Sequence, residues 1–416
     1  MRRFLAYSKN IGIYFSASLI PMILSLAMNP LVALNMDPKD YAITGFYNSF
    51  NTLISPLIVF YMLHYYTKSF YEVNEEERLK LKATIFKGLI YFSGLLSILS
   101  FFGILCYIKF FNEQSKLPIY PYLLLSVFTL PLTGVYTLML TDYKMKRDSR
   151  SYFRLSVSNG ILSVLLILLF VVILKWGALG KMLAPFLTTF FFFLLCCWWN
   201  KDLFKIAIDF KLFRKVLIFC LPLTLAAMLG FFSQGYDRVF LERLGNVKEF
   251  GYYVVGFQMA AYLSVFGTAI GATFQPDIYE SIVKRNFLKT ARIIGVILFI
   301  TTIIVLVFIL FAPLLVKILT AGRYVLSTKY TQIIALSSIT SMMYYSISQV
   351  TIALGKTKIT LYNKILGSIL TVWMFSFLIS RYQFIGAAWG IVLSFVISFF
   401  GNVLLLFIFK TKKNAT

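Results

Sequence analysis

The chain has 416 residues, of which 59% are hydrophobic and only 13% charged, a balance that leaves too little polar surface to cover a water-soluble globule of this length. Its formal net charge of +24 would suit a nucleic-acid groove in a soluble protein. Here the basic residues gather at the ends of apolar runs, so a nucleic-acid partner is not needed to explain them. The expected class is all-α integral membrane, because a bilayer-spanning backbone must satisfy its own polar groups.

Twelve transmembrane helices are expected, each long enough to cross a hydrocarbon core of about 30 Å. The first is 11–34. It follows Met1-Arg2-Arg3 and superficially imitates a secretory signal, but it is about twice the length of a signal core and lacks a small-residue cleavage site, so it reads as a retained span. The second, 43–66, carries Asn48, Asn51, Thr52 and Ser55 at spacings of three and four, hence on one helix face. The third to sixth are 84–108, 120–141, 154–174 and 180–199, with Lys87, Arg154 and Lys181 in the first turn or so of their spans. The seventh, 217–241, brings Gln234, Asp237 and Arg238 to one side, and the eighth, 251–273, adds Gln258 and Tyr262. After 292–316 comes the tenth span, 330–354, with Ser338, Ser341, Tyr345, Ser348 and Gln349. The last two are 361–380, with Lys364 near its start, and 385–409.

Taking the segments between spans alternately, 28 of the 40 Lys and Arg lie on the side that holds the amino terminus, so the positive-inside rule expects both termini in the cytoplasm. The four cysteines, Cys106, Cys196, Cys197 and Cys220, sit in apolar runs without metal-ligand spacing and read as small buried hydrophobes.

A shift of about half the chain length matches the sequence to itself. Asp40-Tyr41-Ala42 pairs with Glu249-Phe250-Gly251, Tyr71-Glu72 with Tyr279-Glu280, and Gly177-Ala178 with Gly386-Ala387. The expected organisation is therefore two six-helix lobes, 1–208 and 209–416. An even number of spans per repeat gives the lobes one orientation, an arrangement that supports alternating access through a cleft. Polar stripes inside spans point either to such a wet cleft or to hydrogen bonds between helices, and the spacing fits both. Candidate substrate contacts are Asn48, Asn51, Thr52, Ser55, Arg154, Gln234, Asp237, Arg238, Gln258, Tyr345, Gln349 and Lys364. Asp237 with Arg238 reads as a charged gate or substrate contact, or as Arg238 pairing with Glu242 at i,i+4 and snorkelling outward. Lys87, Arg154, Lys181, Arg292 and Lys364 either snorkel or offer a cation to an anionic group such as phosphate. His64, the only histidine, ends the second span and reads as an interfacial bystander. No GxxxxGK[ST] motif, H-E-x-x-H motif, cofactor motif or paired intramembrane carboxylates are present, so the sequence gives no sign of a nucleotide motor, an enzyme or a cofactor.

With these residues in view the chain resembles the polysaccharide flippase family, the O-antigen transporters of the multidrug/oligosaccharidyl-lipid/polysaccharide exporter superfamily. The residues that carry the likeness are a proline in the first span followed by Asp40-Tyr41-Ala42, then Pro222, Asp237 and Glu249-Phe250-Gly251-Tyr252-Tyr253. Leu354-Gly355-Lys356-Thr357-Lys358 and Phe384-Ile385-Gly386-Ala387-Ala388-Trp389-Gly390 follow. The resemblance implies a fold related to multidrug and toxin extrusion transporters. It implies translocation of an undecaprenyl-pyrophosphate-linked oligosaccharide to the periplasmic leaflet of a bacterial inner membrane. Membrane lipid, polysaccharide polymerase and glycosyltransferases of the same pathway are the partners it implies. A cation-coupled drug antiporter would be expected to show an acid in the first span or several intramembrane acids, and this chain shows neither. An O-antigen polymerase or membrane glycosyltransferase would be expected to carry a large outward loop or an acidic catalytic pair.

Overall fold

The computed structural model describes residues 2–111, 116–354 and 356–411. Met1 and Gly355 lie outside them. Every regular element among the described residues is helical, and the twelve expected spans are largely helical, although the second, seventh, eighth and tenth are each divided between two or more helices. Among the described residues, eight helical stretches are long and apolar enough to cross a bilayer by themselves. One of these, 358–408, contains two expected spans and is divided at Gln383, whose φ of 49° and ψ of −126° are not helical.

The chain forms two compact units, Met1–Met228 and Leu229–Thr416. The first contains α1 (Arg2–Leu34), α2 (Pro38–Val59), α3 (Met62–Ser69), α4 (Glu75–Phe111) and α5 (Tyr122–Met145). It continues with α6 (Ser149–Ile167, extended by a π-helical turn, Leu168–Ile173), α7 (Gly177–Trp199) and α8 (Phe210–Met228). Polar side chains fix where these helices begin. Asn74 accepts the Glu77 amide (2.9 Å) ahead of α4, Asp148 the Ser151 amide (3.1 Å) ahead of α6, and Asp209 the Leu212 amide (2.9 Å) ahead of α8. Each satisfies an amide that the helix itself cannot.

The expected second span is broken where α2 passes to α3. Phe60 and Tyr61 both take left-handed φ, 51° and 50°, and the Phe60 N–H closes on the carbonyl of Pro56 (2.9 Å). A proline one turn earlier thus precedes the bend, as helix kinks usually require. The core of this unit runs through Met62, Tyr66, Leu89, Val135, Leu138, Phe192, Cys196, Val216 and Cys220. Cys106 departs from its expectation and is exposed. It shares α4 with exposed Leu99, Phe102 and Phe110, an apolar surface whose solvent is lipid rather than other helices.

The second unit contains α9 (Phe231–Gln234), α10 (Tyr236–Glu242), α11 (Val247–Ala261), α12 (Leu263–Val283) and α13 (Phe287–Leu319). Then come α14 (Thr328–Ala335), α15 (Ser337–Ala353) and α16 (Thr357–Thr411). Asn246 and Asn286 cap α11 and α13 through the Glu249 and Lys289 amides, at 3.1 and 3.0 Å. Gly256 lets α11 lie directly on α14, since a Cβ there would stand 2.6 Å from that of Tyr330. Phe299, Leu306 and Leu310 of α13 are more than half exposed, as helices that face hydrocarbon require.

Candidate functional site

A cavity of about 800 Å³ opens within the second unit among α11, α12, α14, α15 and α16. That volume falls in the range of small-molecule sites, roughly 300–1,000 Å³. Its wall combines Gln234, Ser264, Thr268, Gln275, Ser337, Ser338, Ser341, Ser346 and Ser348 with Tyr345 and Gln349; Phe257, Met342, Ile391 and Phe395 are among its apolar members. Serine and tyrosine recur along α15 at helical spacing, so one face of that helix supplies most of the hydroxyls. None of the lining residues is charged. Gln349 Oε1 is buried and accepts no hydrogen bond. The Tyr345 ring lies 6.2 Å from that of Phe395.

A compact ionic group adjoins this wall. Arg238 Nη2 donates to the Gln234 carbonyl, and its guanidinium stacks 4.2 Å from the centre of the Phe257 ring. Asp237 is fully buried, accepts the Tyr253 hydroxyl on Oδ2 at 2.6 Å, and stands 3.8 Å from Arg238 Nε. The Tyr253 ring rests 5.6 Å from that of Tyr330, whose hydroxyl donates to Glu249 Oε1 beside Lys329 Nζ (2.8 Å). Arg238 is only 7% exposed, so it does not snorkel to the interface as one of its two sequence readings allowed.

Of the twelve residues singled out from the sequence, Gln234, Tyr345 and Gln349 meet at the cavity, and Asp237 and Arg238 lie just behind it. Gln258 is half-buried on α11 and is not part of the wall, and Lys364 is half-buried near the start of α16. The other five belong to the first unit. Asn48 is exposed on α2, while Asn51 accepts the Ser126 hydroxyl of α5 at 2.9 Å, a hydrogen bond between helices. Thr52 bonds its own helix through the Ser49 carbonyl (2.6 Å), Ser55 is half-buried, and Arg154 is exposed on α6. Lys87 is 7% exposed and donates to the Phe204 and Ile206 carbonyls after α7, so it holds a loop in place.

One ionic cluster escaped the sequence reading. Asp142, 1% exposed near the end of α5, accepts Lys82 Nζ (2.7 Å) and Lys146 Nζ (3.0 Å) on Oδ2 and the Tyr66 hydroxyl (2.7 Å) on Oδ1. Lys82 reaches on to Asn200 Oδ1 at 3.1 Å. The cluster ties α3, α4, α5 and the turn after α7 together. The spans were expected to end at 141 and begin at 84, so Asp142 and Lys82 both fell just outside them. The Asp142–Lys146 spacing of four was the available signal.

Among solved structures, an inward-facing conformation of a multidrug resistance MATE family transporter of the MOP superfamily has a TM-score of 0.69. Its identity is 15% over 96% of this chain and 99% of that one. An inward closed conformation of the lipid II flippase MurJ has a TM-score of 0.67 at 16% identity, over 95% and 87% of the two chains. A MOP superfamily transporter from Pyrococcus furiosus, described as having a binding pocket of reverse polarity, has a TM-score of 0.55 at 16% identity over 95% and 94%. At these identities the likeness is one of fold. No curated protein sequence matches the chain. The family described as polysaccharide biosynthesis protein matches residues 7–281, about two thirds of the length. The chain is thus a multi-pass membrane protein with the transporter fold of the MOP superfamily, and it belongs to the polysaccharide biosynthesis protein family.

Proposed function

We propose that this protein is a flippase that carries an undecaprenyl-pyrophosphate-linked oligosaccharide, such as an O-antigen or other surface polysaccharide repeat unit, from the cytoplasmic to the periplasmic leaflet of a bacterial inner membrane. Lobes 1–208 and 209–416 alternate access to the two faces, both termini are cytoplasmic, and the chain performs no covalent chemistry. Polymerase and glycosyltransferases of the same pathway are its functional partners. The observation that carries this reading is the hydroxyl- and amide-lined cavity of about 800 Å³ in a chain of the polysaccharide biosynthesis family. Hydroxyls and amides match the alternating donors and acceptors of a sugar at little desolvation cost. A cationic drug would call for a carboxylate on the wall, and this wall has none.

The twelve residues above, from Asn48 to Lys364, remain the proposed substrate contacts, with Gln234, Tyr345 and Gln349 best supported by the cavity. Deleting the protein is expected to leave lipid-linked repeat units synthesised but held on the cytoplasmic leaflet. Normal arrival of those units on the outer leaflet, in a strain with no second transporter, would refute the reading.

A further inference from the structure

The composition of the cavity wall contrasts with that of the chain. A protein with a net charge of +24 presents, among the described residues, no Lys, Arg, His, Asp or Glu to this cavity of about 800 Å³. Arg238 is not among the lining residues; it is engaged by the Phe257 ring and the Gln234 carbonyl, and Asp237 at 3.8 Å offsets its charge. An ionised sugar carboxylate entering such a space would shed water and meet no cation to replace it, which is costly in a low-dielectric interior. Sugar hydroxyls would meet the serines of α15 and the side chains of Gln349 and Gln275, amides that carry no charge. Phe257, Tyr345 and Phe395 add ring faces, whose negative quadrupole favours the C–H faces of a pyranose.

Resting on the flippase reading, we infer that this cavity selects uncharged saccharide. The segment of the lipid-linked unit that enters it is built of neutral hexose-type sugars and excludes uronic or other acidic sugars, and Gln349 and Gln275 set that preference. The pyrophosphate stays outside this cavity.

The test is equilibrium binding to the purified full-length protein in detergent, with two soluble trisaccharides that differ only in bearing a hydroxymethyl group or a carboxylate on the same central sugar. The neutral trisaccharide is expected to bind at least tenfold more tightly. Gln349→Arg, or Gln275→Lys at an exposed position of the wall where folding is less at risk, is expected to close that gap by strengthening the acidic ligand. Equal affinities, a preference for the acidic ligand, binding of neither, or no change of the ratio in both variants would each overturn the inference. Translocation of the corresponding polyprenyl-linked pair, measured separately in liposomes, decides the flippase reading. Transport of both at one rate with no binding preference removes the selectivity alone, and transport of neither by a protein that binds the neutral sugar removes the flippase reading alone.

Discussion

Asp142→Asn is expected to be among the most damaging single substitutions in the first unit. The carboxylate is 1% exposed and takes three donors, Lys82 and Lys146 on Oδ2 and Tyr66 on Oδ1. An asparagine keeps one acceptor for Tyr66 but removes the charge, leaving Lys82, 8% exposed, with the neutral Asn200 Oδ1 at 3.1 Å. Stranding one member of a buried ion pair costs about 3–5 kcal/mol. The Lys146 side chain is about half exposed, so it rehydrates, and its own pairing contributes no more than about 1 kcal/mol. For a body of this size each kcal/mol moves the melting point by about 2–4 °C. The expected fall is therefore about 6–20 °C for Asp142→Asn, against less than about 4 °C for Lys146→Met. Thermal unfolding of the detergent-purified protein at a fixed scan rate, followed by tryptophan emission, measures this, since Trp198 and Trp199 immediately precede Asn200. A shift below about 2 °C for Asp142→Asn, or equal losses in the two variants, would refute the account of a buried pair that α3, α4 and α5 depend on.

Two further substitutions test other contacts. Gly177→Ala is expected to cost about 1–3 kcal/mol by thermal melting, because φ is +52° and the new Cβ would stand 2.6 Å from both oxygens of the Asp40 carboxylate. Gly103→Ala, in open space on α4, is the control and should be neutral or slightly stabilising. Arg238→Gln is expected to impair transport with the protein still in the membrane, and Arg238→Lys not to restore it, because an ammonium does not reproduce a planar guanidinium stacked on Phe257; full activity of the glutamine variant would count against any role for this group.

The helical frame was legible because hydrophobic length is a strong signal in lipid, where no other open architecture satisfies the backbone. The breaks were less so. Nothing in Val59-Phe60-Tyr61-Met62 marks two left-handed residues, since neither aromatic favours that conformation and only Pro56 hints at a bend. The division of α16 was readable, because the expected spans 361–380 and 385–409 leave 381–384 between them and Gln383 falls there. Among site residues, the stripe on α15 was readable because its hydroxyls repeat at helical spacing, and Tyr345 and Gln349 do line a cavity. Asn51 belonged to the same kind of pattern but bonds Ser126 of α5. Spacing identifies a polar face; it does not say whether that face meets space or a neighbouring helix.

The internal repeat carries this point further. Asp40 and Glu249 occupy matching places in the two halves of the sequence, yet they act on different partners. Asp40 accepts the Asp37 amide (2.9 Å) and the Ala178 amide at the start of α7 (3.0 Å), which is why Gly177 beside it has no room for a side chain. Glu249 instead holds Lys329 and the Tyr330 hydroxyl, and Gly386, the sequence counterpart of Gly177, is crowded by the Leu378 carbonyl rather than by that carboxylate. The cavities differ in the same way. In the first unit a space of about 450 Å³ is walled by Leu89, Leu124, Phe128, Pro131, Phe186 and Phe190, all apolar, whereas the second unit surrounds its space with hydroxyls and amides. Helical frames related by a repeat can therefore keep their spans while their interiors diverge. The lipid-linked oligosaccharide proposed above would draw on both kinds of surface, because one that welcomes hydroxyls and one that welcomes hydrocarbon cannot be built from the same residues.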